Sequence, residues 1–243
     1  MRLDQALVAR GMASTRARAR DLILRGEVMV GGHVAAKPAV MVAPDDAVAL
    51  TSGPADYVSR GALKLRHALL HFKLACDGIV GLDVGASTGG FTETLLAAGA
   101  RRVYAVDNGR GQLHPRLAAD ARVISLEATD ARTLTAALVP EPLGAVVADV
   151  SFISLAKVLP ASLALAAPGA WLVALVKPQF EAAPGLVPRH GVVRDATVHA
   201  AAVEGVRAWL GSLPQWRVIG WETSPILGGD GNTEFLIGAR HVG

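Results

Sequence analysis

The sequence has little cysteine, few aromatic residues and no long apolar run free of interruptions, and these absences exclude several classes of protein. One cysteine, Cys76, is present among 243 residues, which excludes a disulfide framework and favours the reducing cytoplasm. A hydrophobic fraction of 51% with 19% charged residues is typical of a globular chain, not of a disordered one. The length predicts one full α/β domain with a small additional domain.

A mean hydropathy of +0.38 raises the question of a membrane segment. Residues 158–176 are uncharged and nearly long enough to span a bilayer, but Pro160 and Pro168-Gly169 interrupt them. We therefore expect a helix over 155–166, a Pro-Gly turn and a buried strand over 170–176. The first residues lack the apolar stretch of a signal peptide. We predict a cytoplasmic protein without a membrane partner.

Positive charge is concentrated at the start of the chain. Residues 1–37 hold seven basic and three acidic side chains, a net charge of +4, whereas the whole chain has a formal net charge of +3. A patch of this kind favours an anionic polymer as partner. On charge alone, a solvated basic helix is the alternative interpretation.

The same region predicts a small α+β domain over residues 1–50. Two short helices are expected, the second capped by Ser14 and with Ala17, Leu22, Ile23 and Leu24 on its inward face. Two strands joined by a Gly31-Gly32 turn follow, and then a third short strand.

Residues 51–58 combine Ser, Gly and Pro without periodicity and are predicted to be a linker. Beyond them, over 59–243, apolar strands alternate with amphipathic helices, one of which is expected over 133–138. This alternation predicts a Rossmann-like, doubly wound and mainly parallel sheet.

A glycine-rich loop follows the first strand of that sheet. Residues 81–92 read Gly-Leu-Asp-Val-Gly-Ala-Ser-Thr-Gly-Gly-Phe-Thr, and glycines are needed where the backbone turns sharply against a ligand. The spacing is neither that of dinucleotide binders nor that of a phosphate loop. An acid late in the strand would repel a pyrophosphate but suits a ligand with an amino group. The candidate cofactor-binding residues here are Asp83, Gly85, Ala86, Ser87, Gly89, Gly90 and Phe91.

Further polar residues lie at the ends of apolar strands. Asp107 follows the second strand, where an acid can accept hydrogen bonds from both ribose hydroxyls, although a plain turn residue is the alternative. With the glycine loop, it favours S-adenosylmethionine over NAD or ATP. Asp149 and Lys177 follow later strands and are expected in the same crevice, and Glu234 begins another strand. A helix cap and a solvated strand end remain the alternatives for Asp149 and Lys177.

Neither metal chemistry nor a nucleophilic triad is expected. His67 and His71 lie one helical turn apart, but no third ligand accompanies them, and Lys64 on the same face would repel a cation. No Gly-x-Ser-x-Gly elbow is present.

Taken together, these motifs resemble the TlyA family, the ribosomal RNA 2′-O-methyltransferases that are often described as haemolysins. The start of the chain resembles a small RNA-binding module that is found in a ribosomal small-subunit protein and in pseudouridine synthases. The other matching blocks, in the family's order, are residues 57–65, 81–92, 103–107, 149–155 and 176–181.

The catalytic domain is similar to the FtsJ-like methyltransferases, whose Lys-Asp-Lys-Glu tetrad falls on Lys64, Asp149, Lys177 and Glu234. The role of Lys64 is implied by this resemblance alone. Where relatives show a Glu-Arg-Thr-Asn stretch, this chain has Glu-Ala-Thr-Asp at 127–130. The resemblance still implies that Asp130 accepts a hydrogen bond from the adenine amino group of the cofactor.

The resemblance implies methyl transfer from S-adenosylmethionine to a ribose 2′-hydroxyl of ribosomal RNA, free or in subunits, by a monomer. Lys177 is either a general base or a group that orients the hydroxyl, and Phe180 either stacks on an extruded base or packs in the core. The alternatives are an RNA-binding protein with a non-catalytic cofactor pocket, a methyltransferase for small molecules or proteins, and a membrane-active haemolysin. The candidate RNA-binding residues are Arg2, Arg16, Arg18, Arg20, Arg25 and Arg60.

Overall fold

The computed structural model describes residues 1–13, 15–24, 28–35, 37–50, 57–183, 185–188, 190–228 and 230–243. The chain divides into two compact units, Met1–Tyr57 and Val58–Gly243. The predicted cap Ser14, the candidate Arg25 and residues 51–56 of the predicted linker lie outside the described residues.

The first unit packs two helices and a three-stranded antiparallel sheet of order β2-β1-β3 around one apolar core. The turn between the first two strands is made by Gly31 and Gly32, whose φ values of 57° and 82° lie in the region that favours glycine and fit the predicted two-residue hairpin. The elements are α1 (Leu3–Ala9), α2 (Arg16–Leu24), β1 (Val28–Val30), β2 (His33–Val34) and β3 (Val48–Leu50).

The predicted inward face of α2 is wrong in part. Leu22 and Ile23 are buried as predicted, but Ala17 and Leu24 are exposed, and Ala19 is buried in addition. The three buried residues share one stripe at helical spacing, and Ala17 and Leu24 lie off that stripe.

The second unit is built on a sheet that has seven strands among the described residues, in the order β6-β5-β4-β7-β8-β10-β9. The five strands from β6 to β8 in this order are parallel, and β10 runs antiparallel to both β8 and β9. The predicted doubly wound, mainly parallel sheet is confirmed. The strands are β4 (Val80–Val84), β5 (Arg102–Val106), β6 (Val123–Leu126), β7 (Leu143–Ala148), β8 (Ala166–Val176), β9 (Trp216–Thr223) and β10 (Phe235–His241).

Helices cover both faces of this sheet. Leu65 of α3 and Leu95 of α4 pack in the cluster on one face, and Leu155 of α6 and Val206 of α9 pack in the cluster on the other. Burial on both faces explains why the central strands read as continuous apolar runs. The helices are α3 (Gly61–His71), α4 (Gly90–Ala97), α5 (Pro115–Ala118), α6 (Leu155–Val158), α7 (Pro160–Leu163), α8 (Pro178–Glu181) and α9 (Ala196–Gly211).

Two predicted helices differ from the structure. The helix expected over 155–166 is two short helices, α6 and α7, because Pro160 has no N–H to continue the first one. The helix expected over 133–138 is wrong: a 3-10 helix, Ala131–Thr133, is followed by a turn. Asp130 caps that short helix by accepting from the backbone of Arg132, and threonines at 133 and 135 disfavour a longer one.

The fold brings several loops to one edge of the sheet. Because β4, β5, β7 and β8 are parallel, the loops after their last residues all leave from the same edge, and the antiparallel β10 begins there. No helix in the described part of the chain is long and apolar enough to cross a membrane.

Candidate active site

Two adjoining cavities lie at this edge of the sheet. The larger has a volume of about 520 Å³ and is lined by the loops after β4, β5 and β7, with residues 129–132. The smaller, of about 220 Å³, is lined by the glycine loop, Asp149, Ser151 and Lys177. Gly85, Ser87, Asp149 and Ser151 line both, so the cavities meet at these four residues. The combined space is that of a small-molecule site.

The glycine loop is shaped by close contact with the loop after β7. Gly85 has a φ of 83°, and a Cβ at this position would lie 2.5 Å from the carbonyl oxygen of Asp149. Only glycine fits such an approach without displacing the neighbouring backbone. Ala86, Gly90 and Phe91 line the smaller cavity. Gly89 lines neither cavity as described; it has a φ of 97° and precedes α4.

Asp83 lies behind the loop and does not line either cavity. Its Oδ2 accepts hydrogen bonds from the backbone N–H of Thr92 at 2.8 Å and from the Thr92 hydroxyl at 2.7 Å, which ties β4 to α4. Its Oδ1 is buried and has no partner among the described residues. Burial raises the pKa of Asp83 to about 7. The proposed contact of Asp83 with an amino group remains a prediction.

Asp107 and Asp130 both line the larger cavity. Asp107 accepts from the backbone N–H groups of Ser87 at 2.8 Å and Gly109 at 2.7 Å, one on each oxygen. Each carboxylate oxygen retains a further lone pair for a ligand. Asp130 forms an ion pair with Arg132 at 2.6 Å, and the Arg132 side chain lowers the pKa of Asp130 to about 2. Asp107 is therefore placed to accept hydrogen bonds from a ligand in this cavity, whereas both oxygens of Asp130 already accept from Arg132.

Glu127 is a site residue that the sequence reasoning missed. Its carboxylate accepts from three consecutive backbone N–H groups, those of Gly111, Gln112 and Leu113, at 2.8, 2.7 and 3.1 Å. These hydrogen bonds lower the pKa of Glu127. Gln112 lines the larger cavity, so Glu127 fixes part of its wall. The signal was available, because Glu127 directly follows β6 just as Asp107 follows β5.

The four residues of the predicted tetrad lie in one chain of ionic contacts. The Lys64 Nζ lies 2.5 Å from Glu234 Oε2 and 4.0 Å from Asp149 Oδ2. The Lys177 Nζ lies 2.6 Å from Asp149 Oδ1. The order is thus Glu234, Lys64, Asp149, Lys177, with positive and negative groups alternating. Two lysines and two carboxylates cancel in charge, which allows them to be buried together.

The members of this network differ in their access to the cavities. Asp149 and Lys177 line the smaller cavity, and the Asp149 side chain is 23% exposed. Lys64 and Glu234 are 7% and 3% exposed and line neither cavity. A molecule in the smaller cavity would therefore meet Asp149 and Lys177, while the Lys64–Glu234 pair lies behind them. Lys177 also donates to the Ser151 hydroxyl at 3.1 Å, a contact that sequence reasoning missed.

An aromatic pair stands beside the larger cavity. Phe152 lines this cavity, is 90% exposed and has a φ of 64°, which is rare for a residue with a side chain. Its ring centroid lies 5.0 Å from that of Phe180, which is half-buried. The exposed aromatic surface at this site thus belongs to Phe152 more than to the predicted Phe180.

In the first unit, two of the candidate RNA-binding arginines share one acidic partner. Arg2 Nε lies 3.0 Å from Asp4 Oδ1, and Arg16 Nη2 lies 3.1 Å from Asp4 Oδ2. Asp4 is fully buried, and the hydrogen bond from Arg2 is the main cause of its lowered pKa. Arg2 and Arg16 thus have a structural role in addition to any contact with phosphate.

The remaining described arginines are placed differently. Arg18 pairs with Asp21 at 3.1 Å, and Arg20 is exposed. Arg60, in the second unit, donates to the carbonyl of Leu227 at 2.6 Å. Their contacts with RNA remain predictions.

The histidine pair that raised the metal question is stacked, with ring centroids of His67 and His71 6.0 Å apart. Within the described ranges, no group of three or more His, Cys, Asp or Glu side chains is arranged to hold a metal ion.

Comparisons with known proteins match both units. An S4 domain model matches residues 1–48, and an FtsJ-like methyltransferase model matches residues 57–241. The 16S/23S rRNA (cytidine-2′-O)-methyltransferase TlyA of Mycobacterium tuberculosis is 45% identical over 98% of this chain and 89% of that protein. Hemolysin A of Brachyspira hyodysenteriae is 35% identical over 97% of this chain and 98% of that protein. A solved structure of a candidate hemolysin from Streptococcus thermophilus has a TM-score of 0.74 at 37% identity, covering 100% of this chain and 88% of that one.

Proposed function

Since this chain belongs to the FtsJ-like methyltransferase family, with an S4 domain before the catalytic unit, we propose that it methylates a ribose 2′-hydroxyl of ribosomal RNA. The observation that carries the proposal is the Glu234–Lys64–Asp149–Lys177 network, which opens through Asp149 and Lys177 into a cavity beside the glycine loop. The relative from M. tuberculosis, which covers nearly the whole chain, is named for this reaction on cytidine.

The larger cavity fits S-adenosylmethionine as the methyl donor. Asp107 would hold the ribose hydroxyls, because it lines the cavity and each of its carboxylate oxygens can accept a further hydrogen bond. Asp130 lines the same cavity and is the proposed partner of the adenine amino group. The buried Oδ1 of Asp83 fits a water or ligand donor behind the loop. Gly85 leaves space where any side chain would meet the backbone of Asp149. When bound, the cofactor supplies an electrophilic methyl group on a sulfonium centre.

Lys177 and Asp149 act on the hydroxyl that receives the methyl group. The ammonium of Lys177 donates to Asp149 and Ser151, so one N–H position remains for the ribose oxygen in the smaller cavity. This contact orients the oxygen lone pair, and the Asp149 carboxylate, which lines the same cavity, would take the proton that the hydroxyl loses as its oxygen bonds to the methyl carbon. Lys64 and Glu234 hold Asp149 from behind. In-line positioning of this kind is the main requirement, since a sulfonium-bound methyl group is already reactive.

The RNA is held by phosphate contacts and by stacking. The S4 domain supplies arginines, whose affinity for phosphates falls with salt and carries little sequence choice. Phe152 offers an exposed ring beside the cavity, on which an extruded base can stack. We propose cytidine as the target nucleoside, because the M. tuberculosis relative acts on it. We propose that the protein acts as a monomer, because a single chain supplies the whole network. We place it in the cytoplasm, beside its proposed substrate.

The test uses purified protein, isotope-labelled S-adenosylmethionine and isolated ribosomal subunits that lack the modification. Mass mapping of 16S and 23S RNA is expected to find a methyl group on a cytidine ribose. Lys177→Ala should abolish this transfer while cofactor affinity, measured by calorimetry, stays within a few-fold of wild type. Wild-type turnover by Lys177→Ala, or no ribose methylation by the wild type on either subunit, would contradict the proposal.

A further inference from the structure

Two of the three N–H groups of the Lys177 ammonium have hydrogen-bond partners in the structure. Its three N–H groups point in tetrahedral directions, and two of them meet Asp149 Oδ1 at 2.6 Å and Ser151 Oγ at 3.1 Å. The Lys177 side chain is 11% exposed, so few other groups reach it. The direction that remains is the one open to the smaller cavity, which Lys177 lines. A single carboxylate would leave the ammonium free to rotate about that one contact, whereas two acceptors fix it.

Ser151 is held in place to act as the second acceptor. It lies between Asp149 and Phe152, whose positive φ is maintained only where the surroundings enforce it. Farther along the same loop, the backbone N–H of Leu155 donates to the carboxylate of Glu181 at 2.8 Å. Glu181 ends α8, the helix that follows Lys177, so this hydrogen bond ties the loop after β7 to the segment after β8 beyond the Lys177–Ser151 contact.

Ser151 also lies where the reacting groups must meet. It is one of four residues that line both cavities. The others are Gly85, Ser87 and Asp149, and among these four only Ser87 and Asp149 also have polar side chains. Of these four residues, Ser151 is the one whose hydroxyl accepts a hydrogen bond from a lysine of the tetrad.

We propose that Ser151 is a positioning residue for methyl transfer, whose hydroxyl accepts a hydrogen bond from Lys177 and, with Asp149, directs the third N–H position of the ammonium at the ribose 2′-hydroxyl. This inference rests on the proposed function and adds to the four-residue tetrad a fifth group that acts through Lys177. If the inference is correct, kcat depends on the hydroxyl of residue 151 and not only on the size of its side chain.

The hydrogen bond has a consequence for titration. An acceptor bonded to an ammonium stabilises its charged form, so the Ser151 hydroxyl and the Asp149 carboxylate together hold the Lys177 ammonium. The pH–rate profile should therefore change when the Ser151 hydroxyl is removed. The other ionisable groups on the elements around Lys177 are unchanged by this substitution: Asp83, Asp149, Lys64, Glu181 and Glu234.

The test compares Ser151→Val with Ser151→Thr, which have nearly the same shape but differ in the hydroxyl. Ser151→Thr should keep kcat within a few-fold of wild type. Ser151→Val should lower kcat roughly tenfold to a hundredfold, the effect of losing a hydrogen bond to a charged group. KM for the RNA should be equal in the two variants, and the pH–rate profile of Ser151→Val should differ from that of Ser151→Thr. Equal kcat and equal pH–rate profiles in the two variants would overturn the inference.

A second measurement does not depend on turnover. Competitive acetylation of the full-length protein with acetic anhydride, read by mass spectrometry, reports the neutral fraction of each lysine, with the exposed Lys157 as internal reference. Lys177 should be acetylated faster in Ser151→Val than in Ser151→Thr, and equal rates would overturn the inference. If wild-type protein methylates no RNA, the proposed function fails, and the acetylation rates still decide whether Ser151 holds Lys177.

Discussion

The pair of Lys64 and Glu234 allows stability and catalysis to be separated. Both side chains are buried, with 7% and 3% exposure, and their charged atoms lie 2.5 Å apart. Removing one partner of a buried pair leaves the other charge uncompensated, at a cost of about 3–5 kcal/mol, whereas apolar replacement of both is often neutral. Lys64→Met should therefore lower the free energy of unfolding by about 4 kcal/mol.

The structure also predicts an asymmetry between the two single variants. In Lys64→Met, Glu234 loses the only basic partner that the described residues give it. In Glu234→Met, Lys64 still has Asp149 at 4.0 Å, and this residual attraction limits the loss to about 2–3 kcal/mol. The double variant Lys64→Met/Glu234→Met should recover to within about 1 kcal/mol of wild type. Its methyl transfer should stay low, because Asp149 has lost the lysine behind it.

Urea unfolding followed by tryptophan fluorescence measures these differences. All four tryptophans of the chain lie in the unit Val58–Gly243, so the signal reports the unit that contains the pair. The free energies follow from the midpoints if the slopes are equal. The reasoning would be refuted if Lys64→Met left the midpoint unchanged, or if the double variant were as unstable as the sum of the two single variants.

Three further predictions concern the cofactor side of the site. Burial raises the pKa of Asp83 to about 7, so between pH ~4 and ~7 the folded state keeps a proton that the unfolded state has lost. The free energy of unfolding of the wild type, relative to that of Asp83→Asn, should therefore fall by about 1.4 kcal/mol per pH unit across that range. Urea midpoints of the two proteins that stay parallel across the range would contradict this. Gly85→Ala places a Cβ 2.5 Å from the carbonyl oxygen of Asp149, on a residue with a φ of 83°. Calorimetry should show that this variant binds the cofactor at least about tenfold more weakly, and unchanged affinity would mean that the loop can move aside. Glu127→Ala removes the acceptor of three backbone N–H groups and should weaken cofactor binding about tenfold, whereas Glu127→Gln should weaken it less. Equal affinities in the wild type and both variants would show that the loop 109–113 does not need the Glu127 carboxylate.

Much of the rim of the candidate site can be predicted from local sequence. A polar residue directly after an apolar parallel strand must lie at the carboxyl edge of the sheet, which placed Asp107, Asp149 and Lys177 together before any contact was known. The glycines of the loop were equally readable, because a positive φ or a close backbone approach leaves few other residues possible. The same rule points to Glu127, which directly follows the last residue of β6.

Other features depended on contacts between distant parts of the chain. Helical periodicity marks Lys64 as one more residue of α3, and the sequence separation of 170 between Lys64 and Glu234 hides their pairing. Only the antiparallel register of β10 on β8, in which Phe235 faces Val176, brings Glu234 next to Lys177 and within reach of α3. The roles of these residues in methyl transfer remain predictions.

The sequence by itself determined the elements, the sheet type, the glycine loop and the residues that follow each parallel strand, because these depend on the spacing of apolar residues and on backbone conformation. Only the tertiary structure decided which charges are paired: Asp4 was counted as one acid in a basic region, but it is buried between Arg2 and Arg16. The same holds for the Ser151 contact with Lys177. Burial and ion pairing are set by which surfaces meet, and no local pattern records that.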